Sequence, residues 1–292
     1  MSHSHKKIVF PLVALCLPLV CDAQPYSFHK ELDLPFIGVL AAMQYTSGAT
    51  LAETRQTPLN LDGLHRQDIP AFDRWAIGFY SPKLSSMSSV IGTAELAIPV
   101  AVNAWDTYTG SQAWYGVLVD ALLFEEATTL SSSLSSYSKS FIRLHSTPLA
   151  YDPNVSATVR EQPQNVSSFF SGHTTFAFTT AVFSAYTFQL RHSESPLVPW
   201  VWGGSLAMAT GVGSMRILAG KHFPSDVVMG AAVGAACGFV VPWLHTRPWK
   251  SGRKSVSERN GENRKDFKLD WDLGFAMLEG TQMPVPTVSV NF

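Results

Sequence analysis

The apolar residues of this chain gather in long blocks instead of alternating with polar ones. Four blocks stand out: Trp114–Leu130, Phe169–Leu190, Val198–Leu218 and Val227–Leu244. Each comes near the roughly 20 residues that a membrane-crossing helix requires. A weaker block, Val90–Val102, is interrupted by Glu95 and Pro99. A shorter run, Leu34–Met43, is soon diluted by Gln44, Thr46 and Ser47, and reads either as a short buried helix or as a poor span. Glycine and alanine crowd the last two strong blocks, which lets helices approach closely. From 60 to 83 the chain is polar, with Asp68, Pro70, Asp73, Arg74 and the Ser81-Pro82 breaker, and predicts a surface connection holding at most a short helix. Near the end, Leu269, Trp271, Leu273 and Phe275, then Val288, Val290 and Phe292, recur at a spacing of two, which predicts a small β-hairpin. The expected fold is all-α: a membrane-embedded helical bundle of about five or six helices with a C-terminal hairpin. A compact soluble helical core is the alternative.

Composition fits the membrane reading, with 46% hydrophobic and 15% charged residues. A net charge of −1 exerts no global pull on nucleic acid, and no nucleic-acid-binding signature is present, so nucleic acid is not an expected partner. Lys6 and Lys7 precede an apolar run, Ile8–Val20, and then Cys21-Asp22-Ala23, a pattern that predicts a signal peptide over 1–23 and secretory or periplasmic targeting. A lipid-modified Cys21 is the alternative, disfavoured by the bulk of Val20. Cleavage after Ala23 would remove Cys16 and Cys21 and leave Cys237 alone, an inert thiol among small helix-packing residues. The remaining expected segments are N-terminal helices and connection over 24–112, a functional core over 113–246, and a basic linker with the hairpin over 247–292. The linker's Arg247, Lys250, Arg253 and Lys254 either mark the cytoplasmic side, touch anionic lipid, or are simply solvated.

Three segments carry candidate chemistry. The sharpest runs from Arg216 to Asp226 and sets a guanidinium, the imidazole of His222 and a carboxylate beside a helix start. Arg216 can fork onto two phosphate oxygens, His222 can attack phosphorus or move a proton, and Asp226 can fix the imidazole tautomer. In the second segment, Ser171, Gly172 and His173 open a helical block whose free N–H groups favour an anion. Ser171 adds a hydroxyl, Gly172 admits a phosphate oxygen to the backbone, and His173 is placed to protonate a leaving oxygen. Ser171 read singly is a helix cap, and His173 a solvated histidine. In the third, Lys139 and Arg143 stand four apart, on one face if the helix continues, ahead of His145, Thr147 and Pro148. Asp120, Glu125 and Glu126 lie in or near an apolar block, where ionisable groups are costly unless paired; they either orient the basic residues or mark a wet helix end.

In order and spacing these segments resemble the type 2 phosphatidic acid phosphatase family, whose motifs read Lys-x6-Arg-Pro, Pro-Ser-Gly-His and Ser-Arg-x5-His-x3-Asp. The likeness covers roughly 113–244. It implies a metal-free phosphatase of membrane lipid phosphates or diphosphates, with no cofactor. His222 would form a phosphohistidine, His173 would protonate the leaving oxygen, and Asp226 would steady the imidazolium. Arg216, Lys139, Arg143, Ser171 and Gly172 would hold the phosphate. The departures are Met215 for the third motif's serine, Phe170 for the second motif's proline, and Thr147 where the first motif has arginine, with Lys139 one residue further from Pro148 than usual. Losing that arginine would cost on the order of 100-fold in rate unless another cation compensates. A binding-only protein for lipid headgroups and a vanadate-dependent haloperoxidase are the rival readings. The three motifs must share one side of the membrane, and a basic tail on the other side would face the site to the periplasm or exterior.

Overall fold

The computed structural model describes residues 25–56, 59–142 and 144–246, together with the backbone of 269–278 and 281–290. The expected signal peptide, Arg143 and the basic linker lie outside these residues. The chain divides into two compact units, 1–248 and 249–292.

The larger unit is helical, with α1 (Lys30–Thr54), α2 (Pro82–Ala94), α3 (Ala97–Tyr108), α4 (Trp114–Tyr137), the single turn α5 (Ala157–Arg160), α6 (Gly172–Arg191), α7 (Val198–Leu218) and α8 (Pro224–His245). Val198–Leu218 is a helix over the expected span. The Val90–Val102 block is instead two helices meeting near Glu95 and Leu96, and Leu34–Met43 is the middle of the long α1. Seven helices of three turns or more are therefore described, against the five or six expected.

Helix α6 is central, packed against α8, α7 and α4. Its contact with α8 is a backbone-to-backbone seam. Gly230, Gly234 and Gly238 recur every four residues on α8, and a Cβ at each would come within 2.7, 2.2 and 2.5 Å of the carbonyl oxygens of Ser171, Thr175 and Thr179. Small residues at such a seam let two helices in a bilayer gain dispersion contacts that larger side chains would block. On α6, Thr175 and Thr179 donate their hydroxyls back to the carbonyls of Ser171 and Thr175, both at 2.8 Å, which satisfies polar groups that are fully buried.

The end of the bundle away from the motifs is tied by buried polar contacts. Arg191 at the end of α6 binds Asp106 of α3 at 2.5 Å and Asp120 of α4 at 3.0 Å, and reaches the Tyr26 hydroxyl. His245, the last residue of α8, lies 2.8 Å from Asp33 in the first turn of α1 and 4.0 Å from Glu126. Asp120 and Glu126 therefore serve this end and do not orient the cations of the motifs. Glu125 is exposed and accepts from Thr129.

Large apolar side chains point outward along several helices, including Val100, Leu118, Trp200 and Val228, as a lipid-facing surface demands. Among the described residues, two stretches, Pro82–Tyr108 and Pro224–His245, are long and apolar enough to cross a membrane. Cys237 is a free, buried thiol. The 60–83 connection is less superficial than expected: Ile69, Ala76 and Ile77 bury against Phe223. In the second unit, β1 (Leu269–Leu278) pairs antiparallel with β2 (Thr281–Val290), Leu278 opposite Thr281, as the spacing of two predicts.

Candidate functional site

The three motifs converge at one end of the bundle: Lys139 just beyond α4, Gly172 at the start of α6, Arg216 in the last turn of α7, and His222 just before α8. Two backbone devices set them there. The chain leaves α4 through a π-helical turn, Ser138–Ile142, which carries Lys139. It leaves α7 through Gly220, at φ 71°, where a Cβ would stand 2.1 Å from the Phe79 carbonyl oxygen. Only glycine fits that turn, and the turn swings His222 back over the bundle end. Pro224 then occupies the first turn of α8, where its missing N–H costs nothing.

Asp226 organises the site. Its Oδ2 accepts from the Phe223 backbone N–H at 2.8 Å, capping α8, and from the Ser168 hydroxyl at 2.5 Å. The imidazole Nδ1 of His222 is 3.6 Å from that carboxylate and 3.2 Å from Ser168 Oγ. The direct His222–Asp226 bond expected from sequence is thus replaced by a hydroxyl bridge. Ser168 donates to Asp226 and accepts from His222 Nδ1–H, which leaves the Nε2 lone pair available. A second histidine, His145, approaches the other carboxylate oxygen at 3.6 Å and packs edge-on against Phe223.

A cavity of about 310 Å³ opens in front of His222. Lys139, Arg216, His173 and His222 all reach it, and so do Arg55, Lys221, Ser85, Ser89 and Thr147; among the described residues no carboxylate lines it. Arg216 extends Nη1 to Ser85 and Ser88 on α2, at 3.2 and 3.3 Å, while its buried Nε has no hydrogen-bond partner. His173 Nε2 lies 3.2 Å from Ser89 Oγ. Lys139 binds Ser135 at 3.2 Å, and a Cβ on Gly172 would come within 3.2 Å of its Nζ, so the glycine makes room for the ammonium.

Burial and the surrounding cations set the charge states. Burial, followed by Arg216 and Lys139, pushes His222 down to about 4 against the opposing pull of Asp226. Burial, followed by Arg55 and Arg216, pushes Lys139 down to about 8. Burial, followed by Arg216, lowers Lys221 as well. Such a cluster, with no anion on its wall, is arranged for a multiply charged anion.

Of the residues singled out in the sequence, His222, His173, Arg216 and Lys139 share the cavity, Gly172 lies against Lys139, and Asp226 stands behind His222. Ser171 is not brought to the cavity wall. It is buried, its hydroxyl accepting from Thr174 N–H and Oγ1, and it caps α6. Sequence reasoning missed Ser168, His145, Arg55, Lys221 and the serines of α2. Ser168 lies three residues before Ser171 and had no signal of its own. The 85–89 region is serine-rich, but nothing in the sequence aims it at Arg216.

A helical bundle holding a buried histidine, its carboxylate and a ring of cations is the frame of a phosphate-handling protein. Residues 124–250 match the PAP2 superfamily. The chain is 34% identical over 102 residues to the bacitracin transport permease protein BcrC of Bacillus licheniformis, covering 34% of this chain and 44% of that protein, so the match spans less than half of the relative's length. It is also similar to the crystal structure of a transmembrane PAP2 type phosphatidylglycerolphosphate phosphatase from Bacillus subtilis, at 23% identity and a TM-score of 0.41, over 76% of this chain and 95% of that one.

Proposed function

We propose that this protein is a membrane phosphatase that removes phosphate from a phosphorylated lipid through a phosphohistidine on His222. The observation that carries the reading is the pairing of a neutral, tautomer-fixed imidazole with a cavity lined by cations. A nucleophilic histidine needs its second nitrogen engaged so that the first keeps its lone pair, and the Ser168–Asp226 bridge meets that need.

His222 Nε2 attacks phosphorus, and the bond to the leaving oxygen breaks as His173, at the cavity edge and able to hold a proton once the bound anion offsets Arg216 and Lys139, delivers that proton to it. Arg216, Lys139 and Lys221 face the charge spread over the remaining phosphoryl oxygens, which is where most of the rate gain in phosphoryl transfer arises. Asp226 steadies the imidazolium through Ser168, and water then cleaves the phosphohistidine. A lipid substrate is supported by a second cavity of about 340 Å³ that shares Ser89 and His173 and continues along Gly92, Thr93 and Phe176, between α2 and α6. A headgroup in the first cavity can leave its tail in the second.

The test is phosphate release by detergent-purified protein and its His222→Ala variant, with EDTA present, from phosphatidic acid, an isoprenyl diphosphate and a soluble phosphomonoester. Release from the lipid substrates that vanishes in the variant, with the thermal melt unchanged, is expected. An active His222→Ala protein would sink the mechanism, and a preference for the soluble ester would sink the lipid assignment.

A further inference from the structure

The wall of the phosphate cavity has a weak place at Thr147. This residue is 3% exposed and lines the cavity, yet its hydroxyl has no hydrogen-bond partner. A short neutral side chain there offers a bound phosphate no cation from position 147.

Arg55 reaches the same cavity from a different part of the chain. It is the residue immediately after α1, and its placement is built, not incidental. Helix α1 packs along α4, with Gln44 Oε1 accepting from Ser133 at 3.1 Å and Thr46 Oγ1 lying 2.5 Å from the Tyr137 hydroxyl. The first turn of α1 is pinned at the far end of the bundle by Asp33 and His245. A 25-residue helix fixed at its start and along its length delivers its last residue to a set position, about 37 Å away by helical rise. At that position the Arg55 guanidinium lies close enough to Lys139 to be the strongest of the charges depressing it. Setting Arg55 beside Lys139 and Arg216 without a carboxylate between them is repulsive, and an anion in the cavity is what turns that repulsion into binding.

We propose that Arg55 is a phosphate-binding residue, supplied by the end of α1, that provides the guanidinium position 147 lacks. A guanidinium forks onto two phosphate oxygens as an ammonium cannot. The proposal rests on the phosphatase reading for its effect on turnover, and not for its effect on phosphate binding.

The experiment compares wild type, Arg55→Ala, Arg55→Lys and the double variant Arg55→Ala/Thr147→Arg, all full-length in detergent. Three quantities are read: kcat/KM for the preferred lipid phosphate, inorganic phosphate affinity by calorimetry, and the pH profile. Arg55→Ala should lower kcat/KM on the order of 100-fold and weaken inorganic phosphate binding, with an unchanged melt. Arg55→Lys should fall between, and the double variant should regain at least about tenfold by restoring a guanidinium at the wall. The alkaline limb of the profile should move upward in Arg55→Ala, because Lys139 loses a repelling neighbour. Wild-type phosphate affinity in Arg55→Ala would overturn the proposal, whether or not activity falls, since a structural role alone gives that result. A wild type that releases no phosphate from any substrate would overturn the phosphatase reading, and the calorimetry would still decide Arg55.

Discussion

His222 and Asp226 are four residues apart and separated by 3.6 Å between Nδ1 and Oδ2, with the Ser168 hydroxyl 2.5 Å from the carboxylate and 3.2 Å from the imidazole. At that distance the carboxylate does not bond the ring directly, and the same Oδ2 also caps α8 through Phe223 N–H. One oxygen thus ties the helix start to the orientation of the ring, with serine as the link.

Removing that link should cut turnover and spare binding. Ser168→Ala is expected to lower kcat on the order of 100-fold, because the imidazole loses the acceptor that holds its tautomer. Affinity for inorganic phosphate should change little, since the cations remain. Steady-state kinetics beside calorimetry check this; a kcat within a few-fold of wild type would remove Ser168 from the mechanism.

In the proposed mechanism, two groups bound the active pH range. His222 must be neutral to attack, and burial with Arg216 and Lys139 holds it at about 4, so kcat/KM should rise as pH increases through that value. Lys139 must be charged to hold phosphate, and burial with Arg55 and Arg216 holds it at about 8, so kcat/KM should fall as pH increases through that value. Arginine does not lose its proton in this range. Lys139→Arg should therefore extend the plateau to higher pH, and an unmoved alkaline limb would assign that limb to another group.

The glycine seam between α6 and α8 should be intolerant of a methyl group. Gly234→Ala would place its Cβ 2.2 Å from the Thr175 carbonyl oxygen, and forcing the helices apart costs about 1–3 kcal/mol. A lowered melting temperature in detergent is expected, with a smaller effect from Ala→Gly changes on the outer face of α8. A melt equal to wild type would show that the helices separate freely.

Asp73 links the 60–83 connection to the site. Its carboxylate accepts from Ser225 N–H at 3.0 Å and from Ser225 Oγ at 2.5 Å, in the first turn of α8 that also bears Asp226. Asp73→Ala should cost about 1 kcal/mol, the usual worth of a helix cap, and lower kcat through a looser Asp226. Thermal melts and kinetics on the same preparation test this, and full activity would separate the cap from the site.

Much of the bundle was legible in the sequence, since a lipid-facing helix has to be apolar over a definite length, and Val198–Leu218 shows it. The break between α2 and α3 was harder to see. Glu95 and Pro99 interrupt the pattern, but an interruption in sequence does not distinguish a kink from two helices. Ser171 was ambiguous in the same way: a serine before a helix serves equally as cap or ligand, and only its burial against Thr174 resolves it.

The sequence by itself singled out four residues that the fold brings to one cavity, His222, His173, Arg216 and Lys139, because local spacing around a helix start holds such side chains at fixed offsets. It also determined the helical, apolar character of the core. Only the tertiary structure decided how they are completed: Ser168 between His222 and Asp226, the serines of α2 beneath Arg216, and Arg55 beside Lys139. Those partners come from elements 54 to 131 positions away in the chain, and proximity across such separations is a property of how helices pack, which no local pattern encodes.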